Sequence, residues 1–321
     1  MKKRELCMWR LSTLFFLCAV TVGDAREFVI PELRNYDSED QLDHSKRVHS
    51  YPYITSDGFR AACDFWIDEA RVPFDPCHVK TGDIIYLNPY YLDFFFDYVH
   101  PEIKVPYVLL TTNSTVSCPG KYACYLDERT LACWFTKNPD YRHPKLKPIP
   151  LGFANAYFSF GDVRVIKRVR TFPSQYRDVL LLMNFKVADD RIWRKPVYDL
   201  FKNEPFCYNA PQKSFYEYLY DMSRSKFLLS PAGAGVDCYR TWEALLFGCI
   251  PIVKRSTIDS LFKDLPVVII DDWRQVTRDF LEKKYKQMSK IKYRREKLFM
   301  PYWLNKIKKA QKKVRIRYGS K

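Results

Sequence analysis

Between Ser230 and Val253 the chain reads Ser-Pro-Ala-Gly-Ala-Gly-Val-Asp-Cys-Tyr-Arg-Thr-Trp-Glu-Ala-Leu-Leu-Phe-Gly-Cys-Ile-Pro-Ile-Val. Two of its side chains could do chemistry together. Arg240 falls in the first turn of the expected helix, where a cation opposes the macrodipole at a cost of ~0.3–1 kcal/mol. An anion lying between the guanidinium and the helix end removes that conflict. Glu243 follows at i+3 and leaves the same face about one turn away. A guanidinium takes phosphate oxygens in pairs, and a carboxylate can accept two hydrogen bonds from a ribose diol. The pair therefore suits a nucleoside diphosphate; the plain alternative is an Arg240–Glu243 surface pair. Gly233 and Gly235 would let the backbone approach such a ligand or adopt positive φ, and the N–H groups that open the next helix favour an anion. Trp242 and Leu245 read as core, and Cys249 as a small buried hydrophobe.

The elements that must hold this loop follow from hydrophobic pattern. Strands are expected at 178–183, 226–230, 250–253 and 267–270, with helices at 191–201, 214–224, 239–247 and 257–262 and a long one from about Gln275. Asp178–Met183 is a continuous apolar run of the kind buried on both faces of a parallel sheet. Upstream, 83–87 and 105–110 read as strands, 90–99 and 127–136 as helices, and 146–151 as an edge or loop because of Pro148 and Pro150. Strands alternating with helices indicate βαβ units. Residues 26–80 read as an irregular lead with short elements, and Phe153–Ser174 as a hinge.

At Ser230-Pro231, Gly233, Gly235, Arg240-Thr-Trp-Glu243-Ala-Leu245, Gly248 and Ile250-Pro-Ile-Val253 the chain resembles exostosin-like glycosyltransferases. The likeness continues through Leu265–Ile270 and Asp272-Trp273, and a linking region is suggested by Asp140–Gly152. It implies an α/β fold of GT-B type: two Rossmann-like domains facing a cleft, with C-terminal helices crossing back. Residues 26–160 would form the acceptor-side domain, 161–285 the nucleotide-sugar-binding domain and 286–321 a basic helical tail. The implied reaction transfers a sugar, with inversion, from a nucleotide donor, expected to be UDP-linked, to a glycan or glycoprotein. Carried over, Arg240 meets the diphosphate and Glu243 the ribose. Ser230, Gly233 and Gly235 line the pocket, and Lys186 or Arg191 adds a basic contact.

Charge on the departing diphosphate must be met by fixed cations or a metal. No Asp-x-Asp stands at a strand end, and Asp189-Asp190 and Asp271-Asp272 are adjacent pairs whose side chains diverge. A metal-independent reaction with no required cofactor is expected. An inverting reaction needs a general base; His100, Asp97, Asp64 and His143 are candidates that spacing does not separate. The alternative is a catalytically inactive secreted protein that binds carbohydrate or glycosaminoglycan on the same fold.

Composition bounds these readings. The chain has 321 residues, 47% hydrophobic and 17% aromatic, which excludes a disordered protein and suggests two domains or one large one. Its net charge is +16, but Lys283–Lys321 holds 16 Lys and Arg against Glu296 alone, so that segment carries +15. A nearly neutral body with a basic end argues against a fold built around a polyanion. The end itself reads as a docking helix with a solvated basic face, or as a contact for anionic lipid or glycosaminoglycan. Nucleic acid is not an expected partner.

Lys2, Lys3 and Arg4, then a mainly apolar stretch of 12 residues from Leu11 to Val22, then Gly23-Asp24-Ala25, read as a cleaved secretory signal over 1–25. An uncleaved type II anchor is the rival. Either places the chain in the secretory pathway, in the ER or Golgi lumen or outside the cell. Cys7 and Cys18 would leave with the signal. The remaining Cys63, Cys77, Cys118, Cys124, Cys133, Cys207, Cys238 and Cys249 permit disulfides but lack the spacing of a structural zinc site. Asn113-Ser-Thr is a sequon for N-glycosylation.

Overall fold

Short apolar runs separated by polar links assemble into two wholly parallel sheets in the computed structural model, which describes residues 30, 47, 49–170, 176–188 and 193–319. The expected signal, Arg191 and Asp189-Asp190 lie outside the described residues.

The first sheet has strands in chain order: β1 (Phe65–Ile67), β2 (Ile84–Leu87), β3 (Tyr107–Thr111), β4 (Leu131–Thr136) and β5 (Leu146–Pro148). Right-handed crossovers in an unbroken order all fall on one face. That face is filled by Phe95, Phe96, Tyr122 and Leu126 from the connections, packed on Leu87, Leu109 and Trp134. The other face needs a cover from elsewhere. The last helix, α8 (Met300–Tyr318), returns to supply it, burying Trp303, Ile307 and Val314 in the core that also holds Tyr86, Val108, Leu110 and Phe135. Its Lys306, Lys308, Lys309, Lys312 and Lys313 point to solvent. The docking-helix reading of the basic end describes this arrangement. No helix among the described residues is long and apolar enough to cross a membrane.

The second sheet runs β7 (Cys207–Asn209), β6 (Val179–Met183), β8 (Ser225–Leu229), β9 (Ile250–Lys254), β10 (Val268–Ile270). Its helices lie on both faces. α4 (Arg194–Phe201) and α7 (Arg278–Met288) share one core with the sheet, through Val197, Phe201 and Leu281. α5 (Phe215–Arg224) and α6 (Tyr239–Leu246) pack on the other face through Leu219, Met222, Trp242 and Leu245. The second core is continuous with that of the first sheet.

Three expectations are corrected. Residues 127–136 are not a helix: Leu131–Thr136 is β4, hydrogen-bonded between β3 and β5, with Trp134 fully buried. Burial between two strands overrides the weak helical preference of Leu and Ala there; the helical turn lies upstream, at Gly120–Asp127. Phe153–Ser174 is not an irregular hinge, because Phe153 is buried and Val163–Arg170 forms α3, packed on α5 through Ile166 and Val169. The short elements expected in the lead are β1 and the helix α1 (Ser56–Arg60). Cys63, Cys118, Cys133, Cys207, Cys238 and Cys249 are unbridged thiols. Burial raises Cys118 and Cys133 to about 11 and Cys249 to about 12, so these three behave as buried hydrophobes.

Candidate functional site

β6 and β8 are neighbours in the sheet, yet the chain leaves β6 for α4 on one face and leaves β8 for α6 on the other. At such a reversal, beyond the carboxyl ends of the two strands, open α/β sheets place their ligand crevice. Residues 184–188 and 230–238 form its rim.

Arg240, in the first turn of α6, reaches across the crevice. Its Nη2 donates to the Pro231 carbonyl at 3.0 Å and its Nη1 to the Asn184 carbonyl at 3.4 Å. It is 9% exposed, and its Nε is buried without a hydrogen-bond partner. Arg194, in the first turn of α4 and 6% exposed, does the same from the other side. Its Nε donates to the Ala232 carbonyl at 2.8 Å and its Nη1 to the Lys186 carbonyl at 3.1 Å. Phe185 lies between them, its ring 5.5 Å from the Arg240 guanidinium and 5.9 Å from that of Arg194. Two guanidinium groups thus converge on four strand-end carbonyls, each at the helix end that least favours a cation. The carbonyl dipoles hold them, and an arriving dianion would offset the remaining cost of burying the charge.

The glycines have a different reason from the one expected. Neither Gly233 nor Gly235 has positive φ. A Cβ on Gly233 would lie 3.0 Å from Arg194 Nη2, and one on Gly235 would lie 2.6 Å from the Asn138 side chain, just past β4. Gly233 makes room for the second guanidinium, and Gly235 lets the loop touch the first sheet. Asp237 secures that junction. Its Oδ2 accepts the Leu151 N–H at 2.8 Å, and both carboxylate oxygens lie 2.9 Å from Trp242 Nε1. Burial raises this carboxyl to about 6. The carboxyl ends of the two sheets therefore meet at this loop, with the Phe160 ring tilted 6.0 Å from Tyr239 nearby.

Glu243 does leave the same face of α6 as Arg240, but it is 3% exposed and its Oε2 accepts the Tyr218 hydroxyl at 2.8 Å. Burial raises its carboxyl to about 7, against smaller downward contributions from Tyr218 and Arg240. The open two-residue grip expected from spacing is therefore corrected. Arg240 is held on the Pro231 and Asn184 carbonyls, while the Glu243 carboxylate is turned onto α5. Ser230 is buried and bonded to the Thr241 hydroxyl at 2.8 Å. Lys186 is exposed at the rim and contributes its carbonyl.

None of the four candidate bases reaches this crevice. His100, 4% exposed, bonds Tyr107 Oη at 2.7 Å and Glu128 at 3.1 Å near the amino end of β3, and burial lowers its pKa. Asp64 accepts the Ile84 N–H at 2.8 Å at the amino end of β2. His143 precedes β5 and accepts the Lys145 N–H, and Asp97 is exposed on the outer connection.

At the carboxyl ends of β1–β3 lies a buried polar cluster that spacing did not reveal. Arg47 pairs with Asp57, Asp68 and Glu69, and Glu69 also accepts from Asn88 at 3.0 Å and Asn113 at 3.3 Å. Asn113 in turn accepts from Asn155 at 3.2 Å. The sequon asparagine is 9% exposed, with φ +66° and its amide nitrogen aimed at Glu69. That nitrogen is engaged by Glu69 rather than presented to solvent. Among the described residues no group of three or more His, Cys, Asp and Glu could hold a metal.

The family model described as the RXYLT1 C-terminal domain matches residues 187–318. That range spans Arg194, the 230–238 loop, Arg240, Glu243 and α8, and is less than half of the chain. The match supports a glycosyltransferase-like family, related to the exostosins but not specifically exostosin. No curated protein matches. Among solved structures, one described as "Crystal structure of GtfA/B complex" is similar at 9% identity and a TM-score of 0.33. The alignment covers 74% of this chain and 58% of that one. So remote a likeness carries no argument about the site.

Of the residues that build the crevice, Arg194, Trp193, Asp237 and Asn138 were not foreseen. Arg194 carries the signal that marked Arg240: a cation placed, against the dipole, in the first turn after an apolar strand.

Proposed function

We propose that this protein is a glycosyltransferase that binds a nucleotide sugar, expected to be UDP-linked, at the carboxyl ends of β6 and β8. The observation that carries the reading is the convergence of Arg194 and Arg240 on one crevice, at the point where the second sheet reverses direction. The family match over 187–318 supports it, since it encloses both arginines and belongs with glycosyltransferase-like sequences. In this reading the diphosphate lies across the two guanidinium groups, which already stand in place and need no reorganisation as charge grows on the leaving group. Fixed cations of this kind can do the work of a metal, so metal-independent transfer suits the site, and inversion is proposed from the family resemblance alone. Glu243 supports the crevice from beneath. With Oε2 engaged by Tyr218, it meets a ribose only if donor binding opens that face of α6.

The acceptor, a glycan or glycoprotein, would enter from the first sheet, whose carboxyl ends meet the 230–238 loop at Asn138 and Leu151. In this proposal the two parallel sheets are the halves of a GT-B arrangement, with 26–160 on the acceptor side and 161–285 on the donor side. Location in the ER or Golgi lumen is part of the same proposal. Incubating the full chain with a panel of UDP-hexoses and UDP-pentoses and measuring released UDP tests it. Turnover of one or more donors, unaffected by EDTA, is expected. Absence of turnover for every donor, combined with saturable binding of a glycan, would favour the inactive carbohydrate-binding alternative.

A further inference from the structure

Beside the two arginines stands an aromatic surface that the diphosphate alone does not explain. Trp193 immediately precedes Arg194 at the start of α4 and is 47% exposed. An indole so exposed is usually free to rotate. Here Trp193 Nε1 donates to the Ala232 carbonyl at 3.2 Å, the same oxygen that accepts Arg194 Nε at 2.8 Å. One carbonyl of the 230–238 loop thus fixes the indole and the cation side by side. By contrast Trp134, Trp242 and Trp303 are fully buried in the cores.

We infer that Trp193 is the nucleobase subsite: its exposed face stacks the base of the nucleotide whose diphosphate lies on Arg194 and Arg240. This inference rests on the nucleotide-sugar reading above and adds to it the residue that takes the base. Three physical points support it. Stacking uses the π-face of any base and tolerates shallow, solvent-facing sites. Holding the ring by a hydrogen bond from its N–H leaves the face free and lowers the ordering cost of binding. The polar edge of the indole is already satisfied, so its exposure is not explained by a need for water.

The subsite predicts that base and diphosphate contribute separately. The test is isothermal titration of the full chain, wild-type, Trp193→Ala and Trp193→Phe, with UDP and with inorganic pyrophosphate. Wild-type and both variants are expected to bind pyrophosphate alike. For UDP, Trp193→Ala is expected to weaken binding about tenfold or more, and Trp193→Phe to restore most of it. Equal UDP affinity in wild-type and Trp193→Ala overturns the subsite while leaving the diphosphate reading intact. A wild-type chain that binds neither probe removes the nucleotide reading itself. Equal loss for UDP and pyrophosphate in Trp193→Ala assigns the indole to loop structure and also overturns the subsite. Far-UV circular dichroism and melting of each variant, expected to match wild-type, exclude unfolding as the cause.

Discussion

Glu243→Gln should make this protein more stable at neutral and alkaline pH, although it removes a hydrogen-bonded carboxylate. Glu243 is 3% exposed, and burial lifts its carboxyl from the ordinary 4.5 to about 7. Between those two values the folded chain holds a proton that the unfolded chain has lost, so stability falls as pH rises through the window. The shift corresponds to ~3 kcal/mol of penalty above pH 7, taking about 1.4 kcal/mol per unit. Glutamine cannot ionise, and its Oε1 can still accept the Tyr218 hydroxyl, so the variant escapes the penalty while keeping the contact. Urea unfolding at intervals from pH 4 to pH 8.5 provides the assay. At pH 4 the two proteins should be nearly equal. At pH 8 Glu243→Gln should be more stable by up to ~3 kcal/mol. A residual slope below pH 6 should persist in the variant, because buried Asp237, raised from 3.8 to about 6, acts in the same direction. A variant less stable than wild-type at pH 8 would refute the reasoning, by showing that the carboxylate is held charged by partners stronger than Tyr218 and Arg240.

Other outcomes follow from particular contacts. Gly233→Ala places a Cβ 3.0 Å from Arg194 Nη2 and should weaken UDP binding about fivefold, ~1 kcal/mol, with little change in melting temperature. Trp303→Ala removes an indole that is 2% exposed and donates to the Lys297 carbonyl at 2.8 Å. It should cost ~3–5 kcal/mol, seen as a large drop in the urea midpoint, because α8 is the cover of the first sheet. Asn113→Gln should leave electrophoretic mobility unchanged after secretion-pathway expression, with or without glycosidase. It should also destabilise by ~1–3 kcal/mol as Glu69 loses a buried donor. A mobility shift would show that the sequon is used and that the polar cluster is wrongly described.

Much of the second sheet was legible because its strands are apolar runs bounded by glycine and proline, and its helices carry clear amphipathic spacing. Arg240 was legible for a sharper reason: its position conflicts with the helix dipole, and a conflict asks for an explanation. The identical conflict at Arg194 passed unnoticed because the expected helix began at Arg191, which hid the arginine's place in the first turn. Glu243 shows the opposite limit. Spacing fixes which face of a helix a side chain leaves from, but whether that face meets a crevice or Tyr218 depends on α5, twenty-five residues earlier in the chain. The same holds for the glycines, whose neighbours Arg194 and Asn138 come from other elements. β4 was misread because a six-residue run with Leu, Ala and Trp suits either a helix or a buried strand. The decision lay with β3 and β5 on either side. The cluster around Arg47 was invisible for a related cause. Its members come from six segments, none with a spacing that suggests contact.

The central claim is that Arg194 and Arg240 jointly hold a nucleoside diphosphate over the carboxyl ends of β6 and β8, and titration calorimetry with UDP tests it most directly. Wild-type should give saturable heat at one site per chain. Arg194→Ala and Arg240→Ala should each lower affinity by about ten- to a hundredfold, as loss of a charge-assisted contact implies, while both variants stay folded. Unchanged UDP affinity in folded Arg194→Ala and Arg240→Ala would contradict the account.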